Sequence, residues 1–285
     1  MKTLVLKSPA KVNLFLQVID KRSDGFHNIN TLFQKINLYD ELVFAPTSSG
    51  KIRIFCDHPQ VPKGPKNLVH RVYQCIQKDH ALAQGVDIKI HKSIPVAAGL
   101  GGGSSNAATA LRGLNKLFRL GLSHSELLSY ARSLGSDIAF FLQESSWAIG
   151  TQKGDVIQPL DIASKVWQVL VVPCVKVYSK KVYEAHNLQL TKTNDNVNIL
   201  IHNLKKGDIN KVGSLINNDL EDAVIRLCPR LLALKQRLKL FDTQGVMISG
   251  SGPATLALTR SRKTAEEIAA QMSRRFTRVY VVRTR

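Results

Sequence analysis

The stretch Pro95-Val96-Ala97-Ala98-Gly99-Leu100-Gly101-Gly102-Gly103-Ser104-Ser105 decides how this chain is read. It follows an alternating run at 86–91 that reads as a strand. After it, Ala107, Ala108, Leu111, Leu114 and Phe118 recur at helical spacing. Glycines let backbone N–H groups approach a ligand, and a helix amino terminus carries about half a positive charge. Together they form an anion cradle suited to phosphates. The P-loop pattern fails because no lysine follows Gly103, and the dinucleotide fingerprint fails because Ser104 stands at its third glycine. A tight helix entry is the plainer reading, but four glycines and two serines opening a long helix favour the cradle.

Outward from the loop, three further places carry chemistry. Lys11 and Asn13 share one face of a strand at 11–19, opposite Val12, Leu14, Leu16 and Val18; taken alone, such a pair is usually a solvated face. Asp137 stands just past a helix that opens with the capping box Ser123-x-x-Glu126 and closes at Gly135. An acid before an apolar run is ordinarily a helix cap. Ser249-Gly250-Ser251-Gly252 follows the strand Val246 to Ile248 and is either a plain turn or a second close approach of backbone to ligand. The eight histidines show no metal-binding spacing.

Strands are expected at 2–8, 11–19, 29–37, 41–45, 51–56, 86–91, 145–149, 166–172, 245–249, 254–259 and 278–282. Helices are expected at 67–82, after 104, after 123, and at 196–205, 208–215, 229–241 and 264–275. Asp40-Glu41 serves as a break between strands. No regular βαβ rhythm emerges, so the class is α+β. With 285 residues and 44% hydrophobic content the chain suggests two domains with sizeable cores. We divide them as 1–158 and 159–285, around Gly154-Asp155 and Pro159.

The net charge is +19, with 18 basic against 10 acidic residues in 1–150 and 22 against 11 in 151–285. An excess spread so evenly reads as a solvated basic surface that attracts polyanions, with no dedicated nucleic-acid partner. No apolar run reaches the ~18 residues of a membrane span, so no membrane partner is expected. Met1 to Ala10 lacks a signal-peptide core. Cys56, Cys75, Cys174 and Cys228 are far apart, which suits a reducing cytoplasm.

Order and spacing say more than each motif alone. Pro9-Ala-Lys-Val-Asn-Leu14, then 95–105, then Ile248-Ser-Gly-Ser-Gly-Pro253 resembles the three-motif signature of the GHMP kinase superfamily. Asp24-Gly-Phe-His27, Thr31-Leu-Phe-Gln34, Leu134-Gly-Ser-Asp137 and Asn218-Asp-Leu-Glu221 resemble the branch that acts on 4-diphosphocytidyl-2-C-methyl-D-erythritol. The resemblance implies an amino-terminal domain like ribosomal protein S5 domain 2, ATP-binding, and a ferredoxin-like carboxy-terminal domain. It implies transfer of the ATP γ-phosphoryl group to the 2-hydroxyl of that substrate, in the non-mevalonate route to isoprenoid precursors. Lys11 and Asp137 match the catalytic pair, residues 95–105 the phosphate loop, and Asn67 an adenine contact. Asn13, Phe26, His27, Tyr183, Ser249 and Gly250 match the substrate site, with Phe26 and Tyr183 enclosing the cytosine. Mg²⁺ is expected with ATP, and Ser104 or Ser105 is its candidate ligand. Phe26 departs from a family Tyr, Ala97 from a loop glycine, Ala139 from a Pro, and Gln152 and Asp155 from the Gly and Glu of a Gly-x-Gly-Glu stretch.

Overall fold

The computed structural model describes residues 3–186 and 196–285. By internal contacts the chain divides into two units, neither continuous in sequence. The first is Met1–Ala10, Leu38–Val96 and Gly101–Glu144; the second is Lys11–Asn37, Ala97–Leu100 and Ser145–Arg285. Two long strands, β1 (Leu4–Lys21) and β2 (His27–Thr47), supply residues to both.

In the first unit the later part of β2 pairs antiparallel with β4 (Gly85–His91), and β3 (Ile52–Cys56) pairs parallel with the same strand. Before β4 comes α1 (Leu68–His80); after it come α2 (Gly102–Phe118), α3 (His124–Leu134) and α4 (Ile138–Leu142). Helix α1 buries Val69, Val72, Tyr73 and Ile76, the i, i+3, i+4, i+7 stripe of an amphipathic helix. Helix α2 lies directly on β2 because Gly113 has no side chain there. A Cβ on Gly113 would stand 2.5 Å from Cζ of Phe44. At α3 the capping box forms, with Ser123 N–H and hydroxyl both donating to Glu126. Those bonds hold the Glu126 carboxyl below its ordinary pKa.

In the second unit β5 (Trp147–Thr151) pairs antiparallel with Thr31–Gln34 of β2 and with β6 (Val156–Leu160). The rest runs β7 (Trp167–Val171), α5 (Ser179–Ala185), α6 (Asn196–Lys206), α7 (Ile209–Leu215), β8 (Asn217–Asn218), α8 (Glu221–Leu227), α9 (Arg230–Lys239), β9 (Gly245–Ile248), β10 (Thr255–Thr259), α10 (Arg262–Met272) and β11 (Val279–Arg283). Strand β8 pairs parallel with Phe15 and Leu16 of β1. The other sheet of this unit has the order β11-β7-β10-β9, antiparallel throughout. Taken as strands one to four of a β-α-β-β-α-β chain, that order is 4-1-3-2, the ferredoxin-like arrangement. Its core gathers Val169, Val171, Leu231, Leu234, Leu238, Ile248, Ala257, Ile268 and Met272.

Three sequence expectations are corrected. The strands expected at 2–8 and 11–19 are one strand, and Lys11 and Asn13 are buried rather than solvated. The break expected at Asp40-Glu41 does not exist: β2 runs through it, with Asp40 fully buried. A carboxylate can sit inside a sheet only if its lone pairs are filled, and Asp40 has four donors, described below. Residues 156–160, read as part of a junction, are β6 in a hairpin with β5. Helices α4, α5 and α8 and strand β8 were not expected; they span five, seven, seven and two residues, too short for periodicity to register.

Candidate active site

Strand β1 places Lys11 and Asn13 on one face, in the second unit. Lys11 is 6% exposed, its ammonium donates to Asn13 Oδ1 at 2.8 Å, and it stands 5.2 Å from the centroid of the Phe33 ring. Asn13 Nδ2 donates to Thr31 Oγ1 at 2.7 Å, and Thr31 in turn donates to the Phe15 carbonyl at 2.7 Å. This chain sets the amide orientation of Asn13, with its oxygen toward the lysine. The Asn13 N–H donates to Ser249 Oγ at 3.1 Å, and Lys11 N–H donates to the Leu100 carbonyl at 3.0 Å. The turn after β9 is packed equally closely: a Cβ on Gly250 would stand 3.0 Å from Asn13 Oδ1. Asn218 Nδ2 spans the turn, donating to the carbonyls of Ile248 and Gly250 at 2.8 Å each. Lys11, Asn13, Leu100, Ser249 and Gly250, singled out from separate motifs, are thus brought together. Thr31 and Asn218 orient them; both stood in quoted motifs, but their roles were not legible there.

The glycine loop takes left-handed backbone at Ala97 (φ +55), Gly99 (φ +76) and Gly101 (φ +68). Ala97 therefore keeps the conformation a glycine would take, at the steric cost of its Cβ. Gln152 at φ +56 does the same in its hairpin. Gly99 admits no side chain, since its Cβ would lie 2.9 Å from the Gly252 carbonyl oxygen. Gly101 is the N-cap of α2 and supplies no capping side chain to the first N–H groups of the helix. Around Gly103 a Cβ would meet nothing within 4 Å. Ser105 is buried and its hydroxyl accepts from Ser8 Oγ at 2.7 Å, whereas Ser104 is half-buried.

Asp137, in the first unit, is the N-cap residue of α4, with helical backbone (φ −75, ψ −12) and no side-chain capping bond. Asn67, in the same unit, does cap its helix: Oδ1 accepts from Val69 N at 2.9 Å, and Nδ2 donates to the Pro62 carbonyl at 2.7 Å.

In the second unit, His27 stacks on Tyr183, centroids 5.1 Å apart and rings inclined by 26°. Phe26 does not join them; it is 56% exposed, with the Lys153 ammonium 5.3 Å from its ring centroid. Burial holds the His27 imidazole below its ordinary pKa, and neighbouring His186 and Lys21 add to the effect. Lys153 also pairs with Asp155 at 3.6 Å.

Among the described residues no cluster of three His, Cys, Asp or Glu could hold a metal ion, and no helix is long and apolar enough to cross a membrane. All four cysteines are free.

Comparison with known proteins yields matches over nearly the whole chain. Residues 67–145 match the model of the GHMP kinases N terminal domain, and 200–278 that of the GHMP kinases C terminal. The chain is 38% identical over 269 residues to the 4-diphosphocytidyl-2-C-methyl-D-erythritol kinase of Syntrophotalea carbinolica, covering 94% of each chain. To the protein of the same name in Syntrophus aciditrophicus it is 39% identical over 266 residues, covering 93% of this chain and 92% of that one. A crystal structure of 4-(cytidine 5'-diphospho)-2C-methyl-D-erythritol kinase superposes with a TM-score of 0.85 at 31% identity, covering 99% of this chain and 100% of that one.

Proposed function

The chain belongs to the 4-diphosphocytidyl-2-C-methyl-D-erythritol kinases of the GHMP family, and from that premise we propose that Lys11 and Asp137 carry its phosphoryl transfer. The reaction moves the γ-phosphoryl group of ATP to the 2-hydroxyl of 4-diphosphocytidyl-2-C-methyl-D-erythritol, a step of the non-mevalonate route to isoprenoid precursors. The observation that supports the catalytic assignment is the buried Lys11 ammonium, held on Asn13 Oδ1 at 2.8 Å; Asp137 is assigned by its place in the motif Leu134-Gly-Ser-Asp137.

Phosphoryl transfer asks the protein for positioning and for charge opposite the transferring group. The uncapped start of α2 supplies N–H donors for the ATP phosphates, with no side chain at Gly101, Gly102 or Gly103 to obstruct them. Lys11 supplies a cation whose position is set by Asn13, and so indirectly by Thr31. A tertiary hydroxyl is a weak nucleophile, and Asp137 accepts its proton as the new O–P bond forms. Mg²⁺, when bound, neutralises phosphate charge. Lacking a cluster of acidic ligands among the described residues, it would be held chiefly by the phosphates, with Ser104 the better-placed hydroxyl because Ser105 is engaged by Ser8.

The cytidyl end falls to Phe26, His27 and Tyr183. A flat exposed ring at Phe26 and the Tyr183 ring offer stacking faces for cytosine, and neutral His27 keeps an acceptor nitrogen for its edge. Asn67 is assigned to the adenine side; the same side chain caps α1, Oδ1 accepting from Val69 N and Nδ2 donating to the Pro62 carbonyl. By this reading 1–158 is the ATP-binding, S5-like domain and 159–285 the ferredoxin-like one. Catalysis takes place in the cytoplasm, where the four free thiols stay reduced.

A coupled ATPase assay tests the whole reading. Turnover should depend on the cytidyl substrate, with mevalonate and homoserine failing to replace it. Equal turnover with either small alcohol would refute the assignment.

A further inference from the structure

The carboxylate of Asp40 lies inside β2 of the first unit with no exposed surface, and every one of its acceptor positions is filled. Oδ1 accepts from the N–H groups of Ser93 and Ile94, at 2.9 Å each. Oδ2 accepts from the Lys92 ammonium and from Asn106 Nδ2, the latter at 2.9 Å. Asn106 also donates to Ser8 Oγ at 3.0 Å, and Ser8 donates to Ser105. One buried acid therefore ties the segment that leads into Pro95 to the first turns of α2, gripping the phosphate loop from both of its ends.

The position of Lys92 says what this is for. Its side chain is only 5% exposed, and its ammonium would stand 3.2 Å from a Cβ on Gly102, the first residue of α2. A cation beside a helix amino terminus opposes the dipole and finds no favour there by itself. With a polyanion at the same N–H groups, the two positive features act together. Asp40 supplies the counter-charge that keeps Lys92 in that place before the anion arrives.

We propose that Asp40 is a positioning residue for nucleotide phosphate binding, acting through Lys92 and the backbone of Ser93 and Ile94. The inference rests on the reading of 95–105 as the ATP phosphate loop.

Asp40→Asn isolates the role. The amide oxygen still accepts from Ser93 and Ile94, while its NH₂ faces the Lys92 ammonium and the Asn106 amide, which are donors themselves. The loop segment stays anchored and Lys92 loses its partner. We expect the KM for ATP to rise ~10- to 100-fold, the scale of effect when a positioned group is displaced by about 1 Å. The KM for the cytidyl substrate should stay within ~2-fold of wild type, since its groups are not touched. Lys92→Met should weaken ATP to a similar degree, and the double variant should be no weaker than Lys92→Met alone, as for residues acting as one unit. Affinity for a non-hydrolysable ATP analogue, measured by calorimetry, reads the same effect without any acceptor. A failure of the substrate assignment therefore cannot be mistaken for a failure of this one. A lowered melting temperature with unchanged ATP-analogue affinity in Asp40→Asn would overturn the proposal, as would effects of the two substitutions that multiply in the double variant.

Discussion

Replacing Ala97 by glycine, with Gly99→Ala as its counterpart two residues on, tests the loop geometry in both directions. Ala97 has φ +55, where an L-residue bears a cost of roughly 1–2 kcal/mol that glycine does not. Glycine gives back about 0.5–1 kcal/mol by loosening the unfolded chain. The balance is a stabilisation of about 0.5–1 kcal/mol, or roughly 1–4 °C in Tm for a protein of this size class. The ATP KM should not change, because the backbone already adopts the glycine conformation. Gly99→Ala meets both penalties at once: its φ is +76, and its Cβ would stand 2.9 Å from the Gly252 carbonyl oxygen and 3.0 Å from that of Ser249. Backbone conformation at roughly 1–2 kcal/mol and overpacking at roughly 1–3 kcal/mol sum to about 2–5 kcal/mol. That should lower Tm by about 5–15 °C. Scanning calorimetry of both variants, with ATP kinetics alongside, reads both directions. An Ala97→Gly protein that melts lower than wild type, or a Gly99→Ala protein of unchanged stability, would refute the argument.

Asp137→Asn should keep its fold and its ATP affinity and lose ~10²–10⁴ in kcat, the usual worth of a general base; near-normal turnover would leave the acid without a catalytic role. Phe26→Ala should raise the KM for the cytidyl substrate ~5- to 150-fold, from a stacking contribution of ~1–3 kcal/mol per base. Because Phe26 is 56% exposed, its loss should hardly move Tm. A destabilised variant with unchanged KM would sink the stacking assignment. His27, followed by NMR, should titrate below the ordinary imidazole value of ~6.5, and Lys21→Ala should move its midpoint upward, since Lys21 is one of the charges depressing it. A histidine whose folded pKa is lowered contributes stability that is whole above its unfolded pKa and lost as pH falls through the folded one. The His27 share of stability should thus fade on acidification from about pH 6.5 downward. Replacing His27 by Gln should flatten that part of the pH–stability curve, and an unaltered curve would show that His27 does not contribute.

The sequence by itself determined the fold class, most helices, the glycine loop and the catalytic candidates, because those signals are local. A helical stripe in α1, a capping box at Ser123 and a glycine run before α2 each act within a turn or two of chain. Lys11 and Asp137 could be named from motif order, though composition alone favoured a solvated lysine and a capping acid. What tertiary structure decided were the bonds between residues far apart in the chain. Asp40 looked like a break between strands, since an acid in a strand is costly unless its lone pairs are filled. Its donors at Lys92, Ser93, Ile94 and Asn106 lie more than fifty positions away, where no local pattern could point to them. The orientation of Asn13 by Thr31, the stacking of His27 on Tyr183 with Phe26 left apart, and the glycine-like backbone at Ala97 and Gln152 are of the same kind. Each depends on which groups the folded chain brings within a few ångströms, and a polar side chain acquires its role only when its partner arrives.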